Sequence, residues 1–168
     1  LGELFWPTLI RFLFKARARF ASNAFSASMV PGSALLLRQR LVRSHLASTG
    51  YLFNPILYLY GEEVDLGFWA QKNGFRSMIA LRSLVYHRLE VADCRKISRI
   101  QYYLARNFLI LGNLHLPLFI RPLFYVWHFL FRFALVLIWM VKGESEIAQA
   151  IVHGLIDGIR LITGKGDT

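Results

Sequence analysis

Glu62, Glu63 and Asp65 fall within four positions of the stretch YLYGEEVDLGFWAQKNGFR, residues 58–76, in a chain of 168 residues that has only ten carboxylates. Carboxylates clustered in this way suit two kinds of chemistry. At the first turn of a helix they complement the macrodipole, each contributing about 0.3–1 kcal/mol. Facing a reactive hydroxyl, one of them can instead take its proton as a general base. His87, eleven residues beyond Arg76, adds a candidate ligand for a metal or a phosphate. A lone histidine is as readily a structural residue, and spacing alone leaves both readings of the acidic turn open.

The elements around these residues decide how they are held. Gly61 before the acids and Gly74 after them bracket a helix that starts at Glu62 and ends at a left-handed cap. Within it Val64 and Phe68 share one face, and Leu66 and Trp69 lie close to another. Residues 77–86, SMIALRSLVY, are short, apolar and partly β-branched, which predicts one or two strands ending at His87. Upstream, SASMVPGSALLLRQRLV at 26–42 reads as Pro-Gly turn chemistry, a short buried strand through Leu35–Leu37 and a basic connector. Helical spacing returns over 97–114 through Ile100, Tyr103, Leu104, Phe108 and Leu111. Strand following helix places the segment in the α/β or α+β class.

Composition points toward a membrane surface. Hydrophobic residues make up 55% of the chain and charged residues only 18%, below the usual share of about 25%. The net charge is nevertheless +10, and seven basic residues between Arg11 and Arg43 face a single acid, Glu3, before Glu62 is reached. That balance fits an anionic partner such as lipid headgroups or a phosphorylated substrate. Nucleic acid is disfavoured, because the cations sit among Phe, Leu and Ile and no groove-reading motif accompanies them. Cys94 is the only cysteine, which excludes an internal disulfide and a cysteine-based zinc site and fits a reducing compartment. The apolar opening from Leu1 reads as an excerpt of a longer protein, and its Arg11, Lys15 and Arg19 recur on one face of a short helix over 1–20.

The strongest membrane candidate is PLFYVWHFLFRFALVLIWM, residues 122–140. Arg121, Tyr125, His128 and Arg132 fall within about 60° of one another on a helical wheel, a polar stripe along an apolar helix. Burying such a stripe in hydrocarbon costs a few kcal/mol per charge unless another helix pairs with it. An in-plane helix with the stripe among the headgroups is therefore preferred to a span. The closing AIVHGLIDGIRLITGKG, residues 150–166, is a second amphipathic, glycine-containing helix with a basic end.

Taken in order, VPGSALLLR at 30–38, YLYGEEVDLG at 58–67, GFR at 74–76, VYH at 85–87 and YYLARN at 102–107 resemble the C-terminal half of family 2 glycosyltransferases, most closely the rhamnosyltransferase-like enzymes of bacterial surface polysaccharide assembly. The resemblance covers residues 30–107 and extends to the GLIDGIRLITGKG ending. It implies an α/β fold, the C-terminal part of a GT-A-type nucleotide-sugar transferase domain, followed by membrane-associated amphipathic helices. It also implies an inverting transfer from a nucleotide-sugar donor to a glycan or lipid-linked acceptor, with a divalent metal (Mn or Mg) at the leaving diphosphate. By the same comparison Glu63 is the base, Glu62 and Asp65 position the acceptor or hold the turn, and Gly32 and Ser33 floor the donor side. His87 would ligate the metal.

Three departures qualify this, the least of them Leu81, which stands where the pattern often has Pro and bears on strand entry rather than mechanism. Glu63 stands where the pattern usually has Asp, which keeps the chemistry and lengthens the reach by one methylene. The pattern's donor-binding half, with its Asp-X-Asp motif, has no counterpart, and Glu144-X-Glu146 lies between two helices and is a poor substitute. The expectation is a catalytic, acceptor-side segment over 1–115 and a helical membrane-associated tail over 116–168. Such a chain would sit at the cytoplasmic face of a bacterial inner membrane, peripheral or with a single span, and be inactive without its missing N-terminal half or a partner chain. The rival expectations are a non-catalytic membrane-surface scaffold, in which the acids merely cap a helix, and an acceptor-side subunit that completes a separate donor-binding chain.

Overall fold

A computed structural model describes residues 23–27, 30, 32–86 and 93–166. The helix expected over 1–20 and His87 lie outside the described residues. The chain forms two compact units, the first from residues 1–55 and 62–88 and the second from residues 56–61 and 89–168. The expected boundary at 115/116 therefore runs through the interior of the second unit.

In the first unit, strand β1 (Ala24–Ala27) pairs antiparallel with β2 (Ser77–Ala80), with Phe25 opposite Ile79 and Ala27 opposite Ser77. Period-two alternation is visible in both strands: Phe25 and Ala27 are buried between exposed Ala24 and Ser26, and Ile79 is half-buried between exposed Met78 and Ala80. A two-stranded ribbon has little stability of its own. It is accompanied by helices α1 (Gln39–Thr49) and α2 (Glu62–Lys72), whose Leu41, Leu66 and Ala70 form a small core under Leu35, Leu37, Trp69 and Phe75.

Three local expectations change here. Leu35–Leu37 is not a strand: it is extended chain after a single 3-10 turn at Gly32–Ala34, with Leu35 and Leu37 half-buried and Leu36 97% exposed. No neighbouring strand among the described residues takes up its backbone groups, and three leucines in extended chain cannot all face one core. The basic connector is α1, because Leu41 and His45 recur at i and i+4 and are buried on one side while the arginines stay in solvent. The strand expected over 77–86 stops at Ala80 in a turn. Helix α2 begins at Glu62 as expected, Gly61 precedes it at φ +102° and Gly74 follows it at φ +76°, a backbone region that favours glycine.

The second unit is a bundle of α3 (Cys94–His115), α4 (Arg121–Val141) and α5 (Ser145–Ile159). Asp93 caps α3 by accepting a 2.7 Å hydrogen bond from the Lys96 backbone N–H. Helix α3 is central, burying Tyr102, Tyr103, Ala105, Leu109, Ile110 and Leu111. Against it α5 lies unusually close, because Gly154 rests on the Tyr102 carbonyl and a Cβ at Gly158 would come within 3.0 Å of the Arg106 carbonyl oxygen. The four-residue spacing of Gly154 and Gly158 is the small-xxx-small pattern that lets two helix backbones approach. On the other side, Gly112 makes room for Phe124 of α4, whose ring would lie 2.6 Å from a Cβ there.

The polar stripe of α4 points into this bundle, not toward headgroups. Arg121 donates to the Leu116 carbonyl at 2.9 Å, Tyr125 to Asn113 Oδ1 at 2.7 Å, His128 to the Ala105 carbonyl at 3.0 Å and Arg132 to Gln101 Oε1 at 3.1 Å. As the α4 number rises its partner's number falls, the signature of antiparallel packing on α3. The expected placement of the stripe in the headgroups is thereby corrected: α3 and Leu116 just after it supply the acceptors, so burial leaves few of these donors without a partner.

Candidate functional site

The carboxylates that open α2 diverge. Glu63 is half-buried and turns toward the 3-10 turn, where a Cβ on Gly32 would lie 3.7 Å from the Glu63 Cβ and 3.8 Å from its carboxyl carbon. Those are ordinary van der Waals distances, so an alanine would also fit and the approach does not by itself demand glycine. Ser33 occupies the same turn and is exposed. Beside them is a cavity of about 40 Å³ bounded by Val30, Leu35, Leu37, Leu66 and Ser77, and among the described residues Glu63 is the one charged side chain on its wall. Ligand pockets run to roughly 300–1,000 Å³, so by itself this cavity has room for about a water molecule and not for a sugar.

Asp65 faces the other way. It is buried, and its charge acts on His45 and Tyr51, favouring the protonated form of each. His45 is 1% exposed, with its ring 4.4 Å from Trp69 edge-on and 5.8 Å from Tyr51. Burial outweighs Asp65 there and holds the imidazole below its ordinary value. Glu62 is half-buried, and its Oε2 is enclosed without a hydrogen-bond partner. Burial pushes its carboxyl above the usual range; its own backbone N–H opposes this, and the neighbouring Glu63 charge adds to it. The structure thus brings Gly32 and Glu63 together and sets Asp65 apart from them.

Among the described residues no three His, Cys, Asp or Glu side chains converge in a way that could hold a metal. The implied metal has no visible set of ligands, since His87, its expected ligand, is outside the described residues. Glu144 and Glu146 instead accept weak hydrogen bonds from the Cys94 thiol, at 3.4 and 3.7 Å.

The residues Arg106 and Asn107 have a definite task in the second unit that spacing did not suggest. Asn107 donates through Nδ2 to the carbonyls of Leu57, Leu59 and Tyr60 at 2.9, 2.8 and 2.6 Å. Arg106 donates to the Leu57 carbonyl at 2.9 Å, to the Gly164 carbonyl at 2.8 Å and to Asn107 Oδ1 at 2.9 Å. Both side chains are fully buried. The loop they clamp carries Tyr58 at φ +60° and Tyr60 at φ +63°, a conformation that costs a non-glycine residue about 1–3 kcal/mol and persists only where surroundings over-determine it. The guanidinium also lies 4.8 Å from the Tyr103 ring and 5.5 Å from the Tyr102 ring. The sequence signal was present: two adjacent polar residues on the face of α3 that otherwise carries Tyr102, Tyr103, Leu109 and Ile110.

Compared with known proteins, the chain matches no family model, no curated protein and no solved structure.

Proposed function

We propose that this chain is the acceptor-side segment of an inverting glycosyltransferase, in which Glu63 deprotonates the acceptor hydroxyl. The observation that supports this reading most is the placement of Glu63: of the acids opening α2 it is the one that lies against the Gly32 turn, on the wall of a small, mostly apolar cavity that also carries Ser77. A carboxylate there can accept a proton while the oxygen it frees attacks the anomeric carbon of a nucleotide-sugar from the opposite side to the departing diphosphate. Asp65, buried beside His45 and Tyr51, holds the helix start, and Glu62 borders the same turn. Gly32 and Ser33 form the floor past which the donor sugar would lie. The nucleotide would be held by a donor-binding half outside residues 1–168. A divalent metal bound there would neutralise the diphosphate. Among the described residues of this chain no set of ligands converges to hold it.

The test is turnover of the enzyme completed by its donor-binding half, measured with and without Glu63→Gln. Loss of a general base is worth roughly 10²–10⁴-fold. The variant should fall by that factor in kcat with KM changed much less, and the 168-residue chain alone should show no transfer. Undiminished turnover by Glu63→Gln would remove Glu63 from the chemistry and favour the scaffold reading. Efficient transfer by the chain alone would refute the need for a second half.

A further inference from the structure

The segment that follows α5 is tied back onto the second unit at three points. The Gly164 N–H donates to the Ile56 carbonyl at 2.8 Å, the Gly164 carbonyl accepts from Arg106 at 2.8 Å, and the Gly166 N–H donates to the Tyr103 hydroxyl at 3.2 Å. Gly166 lies so close to the Tyr102 ring that a Cβ there would strike it, and a 2.6 Å hydrogen bond from the Tyr102 hydroxyl to Asp157 of α5 holds that ring. Leu161 turns the chain at φ +56° and Gly164 at φ +76°, so the path is specific. Residues 160–166 form a strap from the end of α5 to the loop at 56–61.

What the strap reaches is strained backbone, since Tyr58 and Tyr60 both have positive φ. The carbonyls of Leu57, Leu59 and Tyr60 all accept from Asn107, whose amide has only two protons for three acceptors. Arg106 supplies the further donor to Leu57, and its Nε holds Asn107 Oδ1, which keeps the NH2 end of that amide toward the loop. Arg106 is held in turn by the Gly164 carbonyl and by the Tyr102 and Tyr103 rings. Each tie therefore depends on the one before it, from Gly164 to Arg106, to Asn107 and to the loop. Arg106 is fully buried, and among the described residues none of its hydrogen-bond partners is a carboxylate. An unpaired buried guanidinium is a costly way to tie down a loop. Cost and strain of this kind gather where a conformation serves function. Gly61, the last residue of the loop, is followed in the chain by Glu62 and Glu63.

We propose that residues 164–166 are a positioning strap: through Arg106 and Asn107 they keep the 57–60 loop in its left-handed form and so fix Gly61, from which α2 and its Glu63 start. The role rests on the transferase reading. Arg106, Asn107 and the strap touch no reacting atom and act only through the loop. The closing segment, expected from sequence as part of a membrane-associated tail, thereby gains a part in the transfer reaction.

The experiment uses two variants, each as the 168-residue chain and in the enzyme completed by its donor-binding half. Gly164→Pro removes the N–H that Ile56 receives and forbids φ +76°. Tyr103→Phe is milder, removing the hydroxyl that Gly166 uses and leaving the ring beside Arg106. For Gly164→Pro the helical circular dichroism should be unchanged, and amide exchange over 57–60 should be faster by about tenfold or more. In the completed enzyme its kcat should fall about 10–100-fold with KM little changed, because a misplaced group costs rate rather than binding. Tyr103→Phe should move exchange and kcat in the same directions by less. Unchanged exchange in Gly164→Pro would show that the strap does not hold the loop, and faster exchange with undiminished kcat would make it a structural tie; either result overturns the proposal. Glu63→Gln separates this failure from that of the transferase reading. If Glu63→Gln loses turnover while Gly164→Pro keeps it, the strap alone is refuted, whereas full turnover by Glu63→Gln removes the transferase reading and the positioning role together. If Gly164→Pro alters the circular dichroism, Tyr103→Phe decides alone by the same two measurements.

Discussion

Among the described residues of the first unit the buried side chains are few, Leu41, Leu66 and Ala70 with Phe25, Ala27 and Val64 and the polar His45, Asn54 and Asp65, while Glu62 and Glu63 sit half-buried at a helix start. The second unit buries larger residues, Tyr102, Tyr103, Phe124, Leu111 and Ile151, and with them Arg106, Asn107, His128 and Arg132. Among the described residues it also carries more of the large exposed apolar side chains. The difference teaches what holds each unit together. The first rests on a few apolar contacts around α1 and α2, whereas the second is held by hydrogen bonds among its buried polar groups as well as by apolar packing. It also predicts that the two units respond to different perturbations.

The sharpest way to break the comparison is through α5. Gly154→Val would place two methyl groups where the Tyr102 carbonyl now touches the glycine, and backbone cannot yield as a side-chain tip can. Overpacking costs about 1–3 kcal/mol and occasionally more, and a clash with main chain belongs at the upper end. The helical signal of the second unit should melt at much lower denaturant concentration, while Trp69 fluorescence, isolated by replacing the other tryptophans with Phe, keeps its midpoint. Equal shifts in both probes would show that the units unfold as one.

A smaller effect is expected at the clamp. Asn107→Ala leaves three carbonyls short of their donor, and unsatisfied buried groups cost about 1–3 kcal/mol each, partly recovered by the Arg106 bond to Leu57. The second unit should lose roughly 2–3 kcal/mol in denaturant titration, and amide exchange should speed up first at residues 57–61. Asn107→Asp should fare no better, because an ionised carboxylate offers those carbonyls no proton.

The first unit should respond to acid instead. His45 is held below its ordinary value of 6.5 by burial, so the unfolded chain binds its proton more readily than the folded one. The stabilisation is therefore complete above pH 6.5 and is lost as pH falls below it. The midpoint read at Trp69, 4.4 Å from this ring, should drop on acidification. In His45→Leu that slope should shrink. An unchanged slope would assign the acid sensitivity to other groups.

What could be read from the sequence divides along the same line. The start of α2 at Glu62 was legible because glycines bracket it, and α3, α4 and α5 because their apolar periodicity is long. Leu35–Leu37 misled because three leucines in a row look the same whether buried in a sheet or lying in extended chain over a small core. Helix α1 was hidden by its arginines, which outnumber the two residues, Leu41 and His45, that hold it. The stripe on α4 was visible as a stripe, yet its direction was not: periodicity says that Arg121, Tyr125, His128 and Arg132 share a face and is silent on whether water or α3 satisfies them. At the candidate site the cluster of acids was plain. Which of them faces Gly32 depends on how the helix is rolled against its core, a tertiary fact.

The smallest prediction returns to those acids. Two forces act on Glu62 with opposite sign: the helix N-terminus stabilises its charge, by about 0.3–1 kcal/mol, and enclosure of Oε2 without a partner opposes it. The raised value of the Glu62 carboxyl says that enclosure prevails. A group whose folded value is raised contributes stability that is present at acid pH and lost as pH rises through that value. Glu62→Gln keeps the shape and removes the charge, so at neutral pH it should be as stable as the parent or more stable by up to about 1 kcal/mol, with the two converging in acid. Thermal melts of both proteins between pH 4 and 8 make the measurement. A variant less stable at neutral pH would mean that the dipole prevails and that the acids of α2 serve chiefly as caps, which would weaken the case for a base at the neighbouring Glu63.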